Sequence, residues 1–200
     1  MARKKLGRGP RSYRTRPLEI REKKPRILIA CEGGKTEPNY FRAFRPANVV
    51  VHGLGMNTFS LVAEAIRIRD EDPYGFDQVW CVFDRDDFTA DNFNRALQLA
   101  RNNDIEVAYS NEAFELWYVL HFDYMDVGIS RHQYIEILKD RLGGYKKNDP
   151  TMYDQLVDCQ RNAIFNATRL LDQYNPVNPE QDNPSTTVHY LVIELNKWNS

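Results

Sequence analysis

A chain of 200 residues can bury one core, and a composition that is 42% apolar and 28% charged fits a water-soluble globular protein. The formal net charge of −1 hides a division: residues 1–26 hold eleven Lys/Arg against two Asp/Glu, a charge of +9, and the remainder carries −10. No run approaches the roughly 18 apolar residues of a membrane span. The basic N-terminus lacks the apolar stretch of a secretory signal, and the widely spaced Cys31, Cys81 and Cys159 form neither a disulfide framework nor a zinc pattern. A cytoplasmic protein is expected.

Residues 1–25 read as a basic arm with Gly7, Gly9, Pro10 and Pro17 and few apolar side chains. It has too little apolar surface to offset its ordering entropy, so it is expected to be flexible when free. Its charge suits either a solubilising tail or an electrostatic hook for phosphates. The second is favoured because the body of the chain is acidic and repels polyanions.

From there strand-like and helix-like pieces alternate. Ile27–Cys31 is a short apolar run between Arg26 and Glu32 and reads as a buried strand. Glu37–Phe44 follows Gly33-Gly34 and reads as a helix with Pro38 in its first turn. Val49–Val51 is a second strand. Thr58–Arg69 is a helix with Phe59, Val62 and Ile66 on one face, stopped by Pro73 and Gly75. Gln78–Phe83 is a third strand, Asp91–Asn102 a helix, and Ile105–Tyr109 a fourth strand. Near-continuous apolar strands alternating with helices predict an α/β fold with a mostly parallel sheet covered on both faces over residues 26–110. Residues 111–200 read as a helical C-terminal portion packed on that core. Its pieces are an aromatic-rich Phe114–Phe122, an amphipathic His132–Leu142 ending at Gly143-Gly144, one long helix over Tyr153–Tyr174, and a closing helix over Thr186–Trp198. Asn183-Pro184-Ser185-Thr186 reads as the cap of that closing helix.

In open parallel sheets ligands collect beyond the carboxyl ends of the strands. Two acidic motifs fall there: Glu32-Gly33-Gly34-Lys35-Thr36-Glu37 after the first strand, and Asp84-Arg85-Asp86-Asp87 after the third. Gly34-Lys35-Thr36 looks like the end of a P-loop, but the glycine that motif needs five positions earlier is Ile29. Asp84 and Asp86, alternating at a strand end, can aim two carboxylates at one hard cation, which removes their mutual repulsion. Two β-α units separate Glu32 from Asp84, enough chain to return Asp84 to the same sheet edge. Glu32 facing a cation held by Asp84 and Asp86 is a geometry for phosphoryl transfer or hydrolysis. Lys35 in the first motif and Lys146-Lys147 after Gly143-Gly144 are candidate phosphate contacts. Among the aromatics Phe114, Trp117, Tyr118, Phe122 and Tyr124, core packing is favoured over base stacking. His121 beside them is read as buried, with a phosphate-facing or proton-transfer role as the alternative.

A strand followed by Glu-Gly-Gly, then a strand followed by Asp-x-Asp, resembles the TOPRIM domain of topoisomerases, primases and certain nucleases. Cys31–Glu37, Phe83–Phe88, Ser110–Trp117, Leu120-His121-Phe122, Tyr145-Lys146-Lys147 and Asn183–Thr186, in that order, resemble the RloB-like family of bacterial phage-defence proteins. The likeness runs from about Arg26 to the C-terminus. It implies a TOPRIM-like sheet and a Mg²⁺- or Mn²⁺-dependent endonuclease acting on RNA or DNA in defence by abortive infection, often beside an ATPase partner. It maps the family glutamate to Glu32, as general acid/base or metal ligand, and the metal aspartates to Asp84 and Asp86. Asp87 and Glu115 are candidates to add carboxylates to the metal. The position after Asn111, usually small or proline in the family, holds Glu112. The alternative is a non-catalytic nucleic-acid-binding or regulatory subunit of an ATPase-containing complex. A phosphatase with Asp84 as nucleophile fits less well. Haloacid-dehalogenase-like enzymes usually place Asp-x-Asp after the first strand and follow it with Thr or Val, where this chain has the third strand and Asp87.

Overall fold

The computed structural model describes residues 23–45, 47–85 and 90–198. Most of the basic arm, together with Asp86 and Asp87, lies outside the described residues. Five strands form one sheet: β1 (Ile27–Cys31), β2 (Val49–Gly53), β3 (Gln78–Asp84), β4 (Glu106–Asn111) and β5 (Ser185–Thr186), in the spatial order β2-β1-β3-β4-β5. The first four run parallel, with Ile27 aligned to Val49 on one side and Gln78 on the other, and Trp80 aligned to Glu106. The fifth is antiparallel to β4 through Ser110–Thr186 and Asn111–Ser185. The expected α/β class with a mostly parallel sheet flanked by helices is what the chain adopts.

β1 lies between two neighbours and is buried along its whole length, which is why its sequence is an unbroken apolar run. Alternate side chains serve two cores. Leu28 and Ala30 meet Val79, Cys81 and Phe83, under helices α2 (Thr58–Glu71) and α3 (Ala90–Asn102). Ile27, Ile29 and Cys31 meet the larger core on the other face, built by α1 (Thr36–Arg42), α4 (Glu115–Val119), α5 (Arg131–Leu142), α6 (Met152–Leu156), α7 (Gln160–Asp172) and α8 (Val188–Trp198). Residues beyond 110 therefore share a core with the strands and also supply β5. Among the described residues no helix is long and apolar enough to cross a membrane.

Local signals account for several boundaries. Asn57 caps α2 by accepting the Ser60 N–H at 3.0 Å. α5 starts in a capping box of Ser130 and Gln133 and stops at Gly143, whose φ of 68° suits glycine. Two expectations are corrected. The single helix over Tyr153–Tyr174 is instead α6 and α7, separated by a 3₁₀ turn at Val157–Cys159. α6 packs on α1 while α7 packs on α4, α8 and β5, and one straight rod cannot serve both sets of partners. The closing helix begins at Val188, because Ser185 and Thr186 are taken up by β5. The Thr186 hydroxyl does both jobs: it donates to the Tyr109 carbonyl at 3.0 Å and accepts from the Val188 N–H at 3.3 Å.

Candidate active site

The carboxyl ends of β1 and β3 open into a cleft of about 420 Å³. Glu32 extends the β1 ladder by one step, its N–H donating to the Val82 carbonyl at 2.8 Å. Its carboxylate is held at both oxygens. Oε1 accepts from the Thr58 hydroxyl at 3.2 Å, and Oε2 accepts from the Asp84 backbone N–H at 3.2 Å. Three elements thus converge on one carboxylate: the end of β1, the first residue of α2 and the last residue of β3. Asp84 is brought to the same place, so the pair expected from the two strand-end motifs is brought together.

Asp84 Oδ2 accepts from Arg131 Nη2 at 3.2 Å. Burial pushes the Asp84 carboxyl well above its usual range, repulsion from Glu37 adds to the shift, Arg131 opposes it, and Glu115 and Glu32 contribute further repulsion. Glu37, in the first turn of α1, is buried, and its carboxyl is also raised, first by burial and then, against its own backbone N–H, by repulsion from Glu115. Its Oε2 has no hydrogen-bond partner. A buried, unsatisfied carboxylate oxygen is costly. This one lies where a side chain on Gly33 would stand, since a Cβ there would fall 2.1 Å from it. Gly53 has a different duty. A Cβ on it would lie 2.8 Å and 2.9 Å from the Gly34 and Gly33 carbonyl oxygens, so its bare backbone lets the end of β2 pass beneath the Gly-Gly turn.

The two glycines are therefore expected to fail differently when replaced. Gly33→Ala displaces only the flexible end of Glu37 and should leave the melting transition close to wild type while disturbing the cleft. Gly53→Ala presses on backbone and should cost about 1–3 kcal/mol of stability in urea unfolding. Equal stability losses would contradict this assignment.

Lys35 and Lys147 line the cleft with Glu32, Glu37, Asp84, Arg131 and Asn148. The loop carrying Lys147 is pinned over α1, with the Thr36 hydroxyl donating to Asn148 Oδ1 at 2.7 Å and the Asn39 side chain donating to the Asn148 carbonyl at 3.3 Å. Lys146 is exposed on that loop but does not line the cleft. Glu115 is buried, accepts from the Tyr145 hydroxyl at 3.2 Å and does not line the cleft, but its charge repels that of Glu37. His121 is not brought to the cleft. Its ring is fully buried against Trp117, its Nδ1 pairs with the Trp117 carbonyl at 2.9 Å, and burial lowers its pKa to about 4. Phe114, Trp117 and Tyr118 are likewise core residues clustered around Tyr40, the first two edge-on and Tyr118 tilted. The Asp86 and Asp87 candidates lie outside the described residues.

Sequence reasoning missed Arg131, Thr58 and the inward aim of Glu37. Glu37 stood inside a motif already singled out. Thr58 and Arg131 meet their partners across 26 and 47 residues, and nothing local marks them.

Among the described residues no three His, Cys, Asp or Glu side chains are grouped closely enough to hold a metal ion. The donor chemistry nonetheless fits a hard divalent cation. Glu32 and Asp84 offer carboxylate oxygens, the type Mg²⁺ takes in ones and twos with water completing its shell. The orphaned Glu37 oxygen in the same cleft is a further carboxylate atom whose missing partner a cation or its bound water would supply.

No curated protein and no solved structure matches the chain. A family model described as RloB-like protein matches residues 27–195, which takes in all five strands, the cleft and most of α8. Both strand-end carboxylates and the helices that enclose them fall inside that match, and the chain belongs to the RloB-like protein family.

Proposed function

We propose that this chain is a metal-dependent nuclease of TOPRIM type, hydrolysing phosphodiester bonds of RNA, transfer RNA included, or of DNA, in phage defence by abortive infection. The observation that supports it most is the fixing of Glu32 between the Thr58 hydroxyl and the Asp84 amide, opposite the Asp84 carboxylate and beside Lys35 and Lys147. A Mg²⁺ or Mn²⁺ ion held by Glu32 and Asp84, with Asp86 and Asp87 as further candidates, would neutralise charge on the scissile phosphate. The chain's own residues do the rest. Thr58 and the Asp84 N–H orient Glu32, so that its carboxylate can take or return a proton at a fixed point. Lys35 and Lys147 attract the phosphate backbone from the cleft rim, with Lys146 close by and the basic arm adding long-range pull.

A second reading is favoured by the Asp84–Arg131 ion pair: a nucleic-acid-binding or regulatory subunit that works with an ATPase partner and does not cut. One experiment separates them. The purified chain is incubated with total cellular RNA and with plasmid DNA, in Mg²⁺, Mn²⁺ or chelator, beside Glu32→Gln. Cleavage that needs the cation and falls on the order of 10²-fold or more in Glu32→Gln is expected. Binding that persists in chelator and never yields cut product would overturn the nuclease reading and support the second.

A further inference from the structure

The Asp84–Arg131 pair stands out as an ion pair inside the cleft rather than at its rim. The side chains are 14% and 32% exposed, so the contact is partly shielded from water. Through one nitrogen and one oxygen, at 3.2 Å, the guanidinium meets the carboxylate. That contact places the guanidinium on a carboxylate that a divalent ion would also seek. Glu32, Glu37 and Asp84 line one cleft, so their carboxylates repel one another and a cation placed among them relieves that repulsion.

Arg131 is placed to be that cation and to move. It is the first residue of α5, and its backbone is steadied from two sides. Glu112 Oε1 accepts its N–H at 3.4 Å, and the Ser130–Gln133 capping box fixes the turn that precedes it. The anchor is in the main chain, while the side chain that reaches Asp84 is long and rotatable. Its planar fork matches a phosphate as well as a carboxylate. It shares the cleft lining with Lys35 and Lys147.

We propose that Arg131 is the built-in counter-cation of this site: it holds Asp84 while no divalent ion is bound, and passes to the substrate's phosphate when the ion takes the carboxylate. The inference rests on reading the cleft as metal-dependent, and it adds a positioning residue and an order of events to that reading. The guanidinium and the divalent ion compete for one oxygen, and an arginine released beside the scissile group becomes a phosphate ligand.

The test uses the full chain at pH 8 and reads binding rather than cleavage. Mn²⁺ affinity is measured by calorimetry, and melting temperature is followed with and without Mn²⁺. Binding of a fluorescent single-stranded oligonucleotide is followed in Ca²⁺, for wild type, Arg131→Met and Arg131→Lys. Arg131→Met is expected to melt below wild type in chelator and to bind Mn²⁺ about tenfold or more tightly, since a neighbouring unit charge commonly shifts a carboxylate by a unit or more. Its melting temperature should rise more with Mn²⁺ than that of wild type, and oligonucleotide binding should weaken about tenfold. Arg131→Lys keeps the charge and should stay near wild type in Mn²⁺ affinity. If wild type binds Mn²⁺ and Arg131→Met binds no tighter, Arg131 is not the counter-cation, and the metal-dependent reading survives. If neither binds Mn²⁺, both ideas fall. An Arg131→Lys affinity gain equal to that of Arg131→Met overturns the inference, because the charge would then be irrelevant. Should Arg131→Met fold only with Mn²⁺ present, the prediction is met in a stronger form; failure to fold even with Mn²⁺ overturns it.

Discussion

Asp84→Asn is expected to abolish cation-dependent cleavage, by on the order of 10³-fold, while the chain stays folded. The rate figure follows from removing a carboxylate that would hold the metal, since metal ions commonly supply several kcal/mol of transition-state stabilisation and each 1.36 kcal/mol is tenfold in rate. The expectation that the fold survives has a separate basis. Asp84 is a buried acid whose ionised form is disfavoured by burial and by Glu37. Breaking a buried pair is costly when a charge is left stranded. Here the charge left behind is Arg131, which is 32% exposed and reaches solvent. The amide keeps the shape of the side chain, and the Asp84 backbone N–H still donates to Glu32. Urea unfolding within about 1 kcal/mol of wild type, alongside lost cleavage, is the expected result. Full cleavage by the variant would remove Asp84 from the proposed chemistry. Collapse of the fold would recast Asp84 as a structural residue.

The second large effect concerns acid. His121 and His189 are both fully buried, and burial lowers each pKa to about 4 against the Trp117 and Tyr118 backbone at His121, and the Thr186 backbone and Asp172 at His189. In the unfolded chain a histidine titrates near 6.5. Between about pH 6.5 and 4 the unfolded state therefore binds protons that the folded state refuses, so stability is full above 6.5 and is lost as pH falls through that window. The loss is about 2 kcal/mol per histidine at pH 5 and approaches about 3 kcal/mol for each below pH 4. Two such terms are a large share of the 5–15 kcal/mol that holds a typical domain together. The raised carboxyls of Asp84 and Glu37 act in the opposite sense, since the folded state takes up their protons at higher pH. Urea midpoints at pH 7, 6 and 5 should drop for wild type and drop less for His189→Leu. A drop in His189→Leu equal to that of wild type would show that the His189 ring is protonated in the folded protein or opens freely to water.

How much of this was readable without coordinates depended on whether a residue's partner lay nearby in sequence. Ile27–Cys31 and Gln78–Phe83 announce buried parallel strands because a strand covered on both faces must be apolar at every position. Glu32 and Asp84 were found because a strand's end is a place the topology designates. β5 left no such mark: it is two polar residues after a proline, and it is a strand only because β4 offers Ser110 and Asn111 an unfilled edge. The break at Val157–Cys159 was hidden because Leu156, Gln160, Ala163 and Ala167 keep helical spacing straight through it. Their spacing specifies which side is buried, not against what. Arg131 is the clearest case. It reads as one base at the start of an amphipathic helix, and only the placement of α5 against the end of β3 gives it Asp84.

The two-residue β5 has a further consequence, one of timing. A ribosome makes the strands bearing Glu32 and Asp84 early, but β4 is flanked on its outer side by Ser185–Thr186, which emerge after more than seventy further residues. The Thr187 hydroxyl, which accepts from Tyr109 N–H at 2.9 Å and donates to the Val107 carbonyl at 3.1 Å, arrives with them. Until then β4 carries an open edge, and the larger core lacks Val188, Leu191, Val192 and Leu195. A nascent or prematurely terminated chain thus holds both carboxylates on an unsealed sheet. Completion of the sheet therefore waits until residues 185–187 have been made.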